Sequence, residues 1–174
     1  MTRFLLLVGL TLLVPKQLDY SRKLDWSLPD EVRHRLTKSK FFDYYKLSDE
    51  VNPFYLRGDL DGDGKPDYAI LVTTKDSSKR FVLICRTGTE NLEILTGRDA
   101  SAIFDPKQSI TSKENFNWMD AWQIAERQEL DANELNQGTP VPMRGEGIIA
   151  EKTEAATVLI YWTGKDYRWY QVAD

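Results

Sequence analysis

Asp59-Leu60-Asp61-Gly62-Asp63-Gly64-Lys65-Pro66-Asp67 places four carboxylates at relative positions 1, 3, 5 and 9 of a nine-residue stretch. No other segment of the chain restricts the fold so tightly. Alternate side chains can converge only if the backbone curls. Gly62 and Gly64 permit the positive φ angles that a tight curl needs, and Pro66 stiffens its exit. Two carboxylates ~5 Å apart at an effective dielectric of about 20 repel by roughly 3 kcal/mol, so the curl is comfortable only around a cation. Hard, flexible oxygen coordination suits Ca²⁺ better than zinc or copper. The expected ligands are the side chains of Asp59, Asp61, Asp63 and Asp67, with the main-chain carbonyl of Lys65, whose ammonium points to water. A bare Asp/Gly turn is the competing reading, but turns seldom need so many acids in phase.

An EF-hand would match Asp59, Asp61, Asp63 and Gly64, but it needs a bidentate Glu at position 12. That position is Ile70, inside an apolar run. The stretch instead resembles the D-x-D-G-D-G-x-x-D calcium loop of FG-GAP and VCBS repeats, in which the ninth-position Asp closes the site and leads into a strand. Tyr68-Ala69-Ile70-Leu71-Val72 fits that strand. The resemblance covers about fifteen residues and implies calcium as the cofactor, not an activity. A propeller is excluded, because blades run to tens of residues and at least four are needed; a dockerin is disfavoured, because its second loop and paired helices are missing from this sequence. Ile160-Tyr161-Trp162-Thr163-Gly164-Lys165-Asp166-Tyr167-Arg168-Trp169-Tyr170-Gln171, taken with the loop, resembles a group of small exported bacterial proteins. That likeness implies location and architecture.

The N-terminus agrees with export. Met1-Thr2-Arg3 is a short basic start and Phe4 to Val14 an apolar run of signal-peptide length, too short to span a bilayer. Leu13-Val14-Pro15-Lys16-Gln17 is an unusual cleavage region, and a buried N-terminal strand is the alternative. The expected organisation is a signal peptide over 1–17 and one calcium-binding domain over 18–174, secreted or periplasmic, where calcium is plentiful. A chain of 174 residues can bury a real core as one domain. Its net charge of −4, without a Lys/Arg cluster, argues against nucleic acid and against anionic lipid once the signal is removed.

Along the chain the pattern is α+β: mainly antiparallel β-sheet, in meanders and hairpins, with one or two short helices. Ser27-Leu28-Pro29-Asp30 predicts a capping-box start with Asp in place of Glu, and Leu28, Val32 and Leu36 an amphipathic helix to about Thr37. Strands are expected over Phe54 to Arg57, Tyr68 to Thr73, Arg80 to Cys85 and Leu92 to Leu95, joined by short turns. The exported-protein resemblance implies a strand over Ala121 to Ala125, where a helix face is also readable. Asn136 to Gly145 reads as a surface loop. Val158 to Trp162 and Tyr167 to Val172 form the clearest hairpin.

Candidates for catalysis are poor. His34, the single histidine, lies between Arg33 and Arg35, opposite the apolar helix face, and has no assignable nucleophile beside it. Cys85 is alone in an apolar strand and reads as a buried thiol. Trp162, Tyr167, Trp169 and Tyr170 could stack on sugars, but cross-strand aromatics stabilise a hairpin without any ligand. Asp105, Asp120, Glu146 and Glu151 could supply a carboxylate pair for glycoside hydrolysis, which demands separations in space. The expectation is therefore a calcium-stabilised, non-enzymatic binding or structural module, with an inhibitor or immunity-type protein blocking an enzyme cleft through Asn136 to Gly145 as its most specific form. The competing class is a small glycan-binding or glycan-hydrolysing protein using exposed aromatics and carboxylates.

Overall fold

A computed structural model describes residues 27–125, save 77, 99, 109 and 111, and residues 142–173. The expected signal segment 1–17 and most of the expected loop from Asn136 lie outside the described residues. The described residues form two antiparallel sheets. The first contains β1 (Tyr45–Leu47), β2 (Tyr55–Gly58), β3 (Asp67–Thr74), β4 (Arg80–Cys85), β5 (Leu92–Gly97) and β6 (Ala100–Ile103). Its order is β1-β3-β4-β5-β6, with β2 also pairing with β3. The second contains β7 (Ala121–Ala125), β8 (Arg144–Lys152), β9 (Ala156–Trp162) and β10 (Tyr167–Ala173), in the order β10-β9-β8-β7.

Period-two alternation explains how the layers stack. Ala69 and Leu71 of β3, with Val82 and Ile84 of β4, point to a core shared with Trp122, Ile148, Ala150, Val158, Ile160 and Trp162 of the second sheet. The alternate residues Tyr68, Ile70, Val72, Phe81, Leu83 and Cys85 point the other way, onto Leu28, Val32, Leu36 and Phe41. β3 and β4 are thus buried on both faces, which is why they read as unbroken apolar runs. The indole of Trp122 donates to the carbonyl of Pro53, fastening the second sheet to the approach of β2.

Helix α1 (Asp30–Lys38) covers the outer face of the first sheet, and a one-turn 3₁₀ helix follows at Phe41–Asp43. The helix starts later than the capping box implies. Pro29 is its N-cap and no side chain caps it, because a prolyl ring has no oxygen to accept from the first-turn N–H groups; its carbonyl accepts from Arg33 N at 3.0 Å. Asp30 and Glu31 in the first turn and Arg35 and Lys38 in the last complement the helix dipole. The Arg35 guanidinium reaches the carbonyls of Arg86 and Asn91, at 3.0 and 3.2 Å, and pins the helix to the β4–β5 turn. Among the described residues the architecture is mainly antiparallel β with a short helix at Asp30–Lys38 and the 3₁₀ turn, and α+β describes it only loosely. Among the described residues no helix is long and apolar enough to cross a membrane.

The expected strands appear with small shifts. The one entering the acidic loop is Tyr55–Gly58, the hairpin is β9–β10 with Trp162 opposite Tyr167, and Ala121–Ala125 is β7. The expected surface loop ends sooner, because Arg144 and Gly145 already belong to β8. Two strands flanking β8 override its poor β-propensity.

The doubly buried strands make a direct prediction. Leu71→Ala should cost about 2–5 kcal/mol in urea unfolding, whereas Lys46→Ala on the exposed side of β1 should stay within about 0.5 kcal/mol.

Candidate metal centre

The acidic stretch is the connection between β2 and β3, and its shape is set by its own hydrogen bonds. The Asp59 carboxylate accepts from the backbone N–H groups of Gly62, Asp63 and Gly64, at 2.7, 3.1 and 3.1 Å. Such a curl needs left-handed backbone at Gly62 and Gly64, both at φ 81°. It brings oxygens of Asp59, Asp61 and Asp67 within 4.8 Å of one another. Three of the four expected carboxylates therefore meet. Asp63 stands outside that group, bound to Lys65 through Oδ2 at 2.9 Å. This bond, the first of several contacts to Lys65, holds its carboxyl below the usual range.

Asp67 is the unusual member. It opens β3, has no exposed surface, and accepts from Thr87 N at 2.6 Å and Leu60 N at 3.1 Å. Burial pushes its carboxyl up to about 6; the charges of Asp61 and Asp63 push the same way, and its two backbone donors oppose them. An acid of this kind gains from any nearby positive charge. The chain already provides one. Arg86, just past β4, places its guanidinium 3.8 Å from Asp61 and 3.7 Å from Glu93, and lies 4.6 Å over the ring of Trp162.

The outer wall comes from the second sheet. Glu146 of β8 accepts from Asp59 N through its carboxylate at 2.6 Å and donates its own N–H to Asp59 O at 2.6 Å. Gly145 takes φ 70°, and a Cβ there would run into the Asp59 carbonyl. The ladder between β8 and β9 shifts register between Arg144 and Ile148, at the same place. The strand bulges so that its backbone can lie against the loop. The Tyr167 hydroxyl also reaches Leu60 O, at 3.4 Å.

Sequence reasoning missed Arg86 altogether, and it read Glu146 only as a candidate hydrolytic carboxylate and Tyr167 only as a candidate sugar-stacking ring, not as walls of this loop. Glycines on both sides of Glu146 were the available signal of a close backbone approach. The residues present fit a hard cation. Three converging carboxylates are a suitable donor set for Ca²⁺, and the buried Asp67 lacks a full counter-charge. Asp63 would have to leave Lys65 to join them.

Of the other candidates, His34 is exposed and Cys85 is fully buried, with burial pushing its thiol up to about 12. Trp162 and Tyr167 are buried, and Trp169 packs on Phe116 and Trp118. Asp120 is tied to Lys152, its largest influence, and to Thr153, which hold its carboxyl down at about 2. Asp105 caps its own turn through Lys107 N at 2.8 Å, and Glu151 lies beside Asp120 on β8, opposite Ala121. Comparison with known proteins returned nothing: no family model, no curated protein and no solved structure matches the chain.

Two outcomes are expected. Gly145→Ala should destabilise the domain by about 1–3 kcal/mol in chemical denaturation, from backbone strain and collision with Asp59. For the metal-stripped protein, folded Asp67 keeps a proton that the unfolded chain loses near pH 4. Its contribution to stability should therefore fall as pH rises from about 4 to about 6, by on the order of 2–3 kcal/mol. The stability difference between wild type and Asp67→Asn, followed across that range, isolates this term.

Proposed function

We propose that the protein is an exported, non-enzymatic binding or structural module in which Ca²⁺ stabilises the β2–β3 loop. The observation that carries this reading is the convergence of Asp59, Asp61 and Asp67 beside a buried, incompletely compensated carboxylate. Asp59, Asp61 and Asp67 would hold the ion, with Asp63 and the Lys65 carbonyl completing the set. Its charge would relieve the repulsion among these acids and hold β2 against β3. Because Glu146 grips the same loop, the second sheet would be steadied as well.

Export is argued from the N-terminal sequence and from the calcium concentrations such a loop requires; extracellular modules bind at about 10⁻⁴–10⁻³ M. An inhibitor or immunity-type role, acting on a protein partner, is the specific form proposed. Burial of Trp162 and Tyr167 supports a packing role over a sugar-stacking platform at the C-terminal hairpin, so the glycan reading ranks second.

Calorimetric titration of the metal-stripped protein with CaCl₂, paired with melting curves, tests the proposal. A Kd of about 0.1 mM in about 1 mM calcium should add roughly 1.4 kcal/mol of stability. Asp61→Ala should abolish both the heat and the shift. Absence of both in the wild type reduces the loop to a turn. N-terminal sequencing of the mature protein tests export, which requires a start downstream of Val14.

A further inference from the structure

Away from the acidic loop, on the helix-side face of the first sheet, a cleft of about 800 Å³ opens between the 3₁₀ turn, the β3–β4 connection and the chain that follows β6. This volume lies within the range of small-molecule sites. Its wall is aromatic. Phe104 has its ring 5.0 Å from Phe41 and 6.0 Å from both Tyr44 and Tyr45, all edge-on. Phe41 and Tyr45 are buried and rigidly packed, whereas Tyr44 is 45% exposed. Among the described residues Tyr44 is one of two large hydrophobic side chains left this open, and it faces the cleft.

The rim is cationic, on a chain whose net charge is −4. Lys75, Lys79 and Lys113 border the opening, against Asp43 and Asp76. Lys79 is committed to the Ser112 carbonyl at 2.6 Å. No ion pair or hydrogen bond to another described residue engages the ammonium groups of Lys75 and Lys113, and both residues are exposed. A low-dielectric aromatic wall beneath cations concentrates potential for anions. Tyr45, itself buried, also borders the cleft.

We propose that this cleft binds a small organic anion with an apolar body, seated against Tyr44 and Phe104, its charged head held by Lys75 and Lys113. The chemistry favours an anion over a cation, because three lysines face Asp43 and Asp76 at the rim, and an organic anion over a bare inorganic one, which leaves the aromatic wall unused. The inference is independent of the calcium reading, because no residue of the cleft belongs to the acidic loop.

Fluorescence titration with anilinonaphthalene sulfonate tests it, beside the uncharged phenylnaphthylamine, which has the same rings without the sulfonate. Saturation at one sulfonate dye per chain, about tenfold or more tighter than the neutral dye, is the expected result. The double variant Lys75→Glu/Lys113→Glu should remove that preference and leave binding of the neutral dye unchanged, while Tyr44→Ala should weaken both. Both lysines are exposed, so the double variant should keep the wild-type melting curve. Naphthoate and dodecanoate as competitors distinguish a flat aromatic acid from a fatty acid, and a cleft that neither enters overturns the proposal. Equal affinity for the two dyes overturns it, and so does sulfonate binding that ignores the lysine substitutions.

Discussion

Burial of β3 and β4 on both faces is the constraint from which the rest of the domain follows. A sheet with two apolar faces needs two covers. One is supplied by α1 and the Phe41 turn, the other by the second sheet, whose β8 and β9 alternate side chains into the shared core. Arg35 fixes the first cover by reaching two carbonyls at the β4–β5 turn. Trp122 helps fix the second from its hydrogen bond to Pro53.

The same burial explains why the acidic loop is electrostatically tense. Asp67 is the first residue of β3, so placing that strand in the core also places a carboxylate there. A buried charge is costly unless it is hydrogen-bonded and paired. Thr87 and Leu60 supply the hydrogen bonds, and Arg86 supplies a neighbouring charge that reaches Asp61 rather than Asp67 itself. The tension is therefore a product of where the strand begins.

Much of this was legible where the signal is local. The apolar runs of β3 and β4, the turns around them and the β9–β10 hairpin are written in consecutive residues, and so are the phased aspartates. β8 was not legible. Gly145, Glu146, Gly147 and Glu151 are poor strand formers, and they are held extended by β7 on one side and β9 on the other. The capping-box reading failed because Pro29 opened the helix without a side-chain cap. Within the site, Asp63 was expected beside its neighbours, but the ammonium of Lys65, two residues on, drew it away. Arg86 could not be read at all, and the glycines beside Glu146 signalled a close backbone approach without saying to what, since nothing in a linear pattern reports which distant strand comes to lie against a loop.

The grip of Glu146 on Asp59 spans 87 residues. Long closures carry an entropic cost that only later contacts recover. While the chain is being made, the meander from β2 to β5 emerges with all its aspartates in place, long before β8 exists to form the outer wall. The acidic curl is thus encoded early and completed late. Its finished form certifies that the second sheet has docked, so the loop joins an earlier-made part of the chain to a later one.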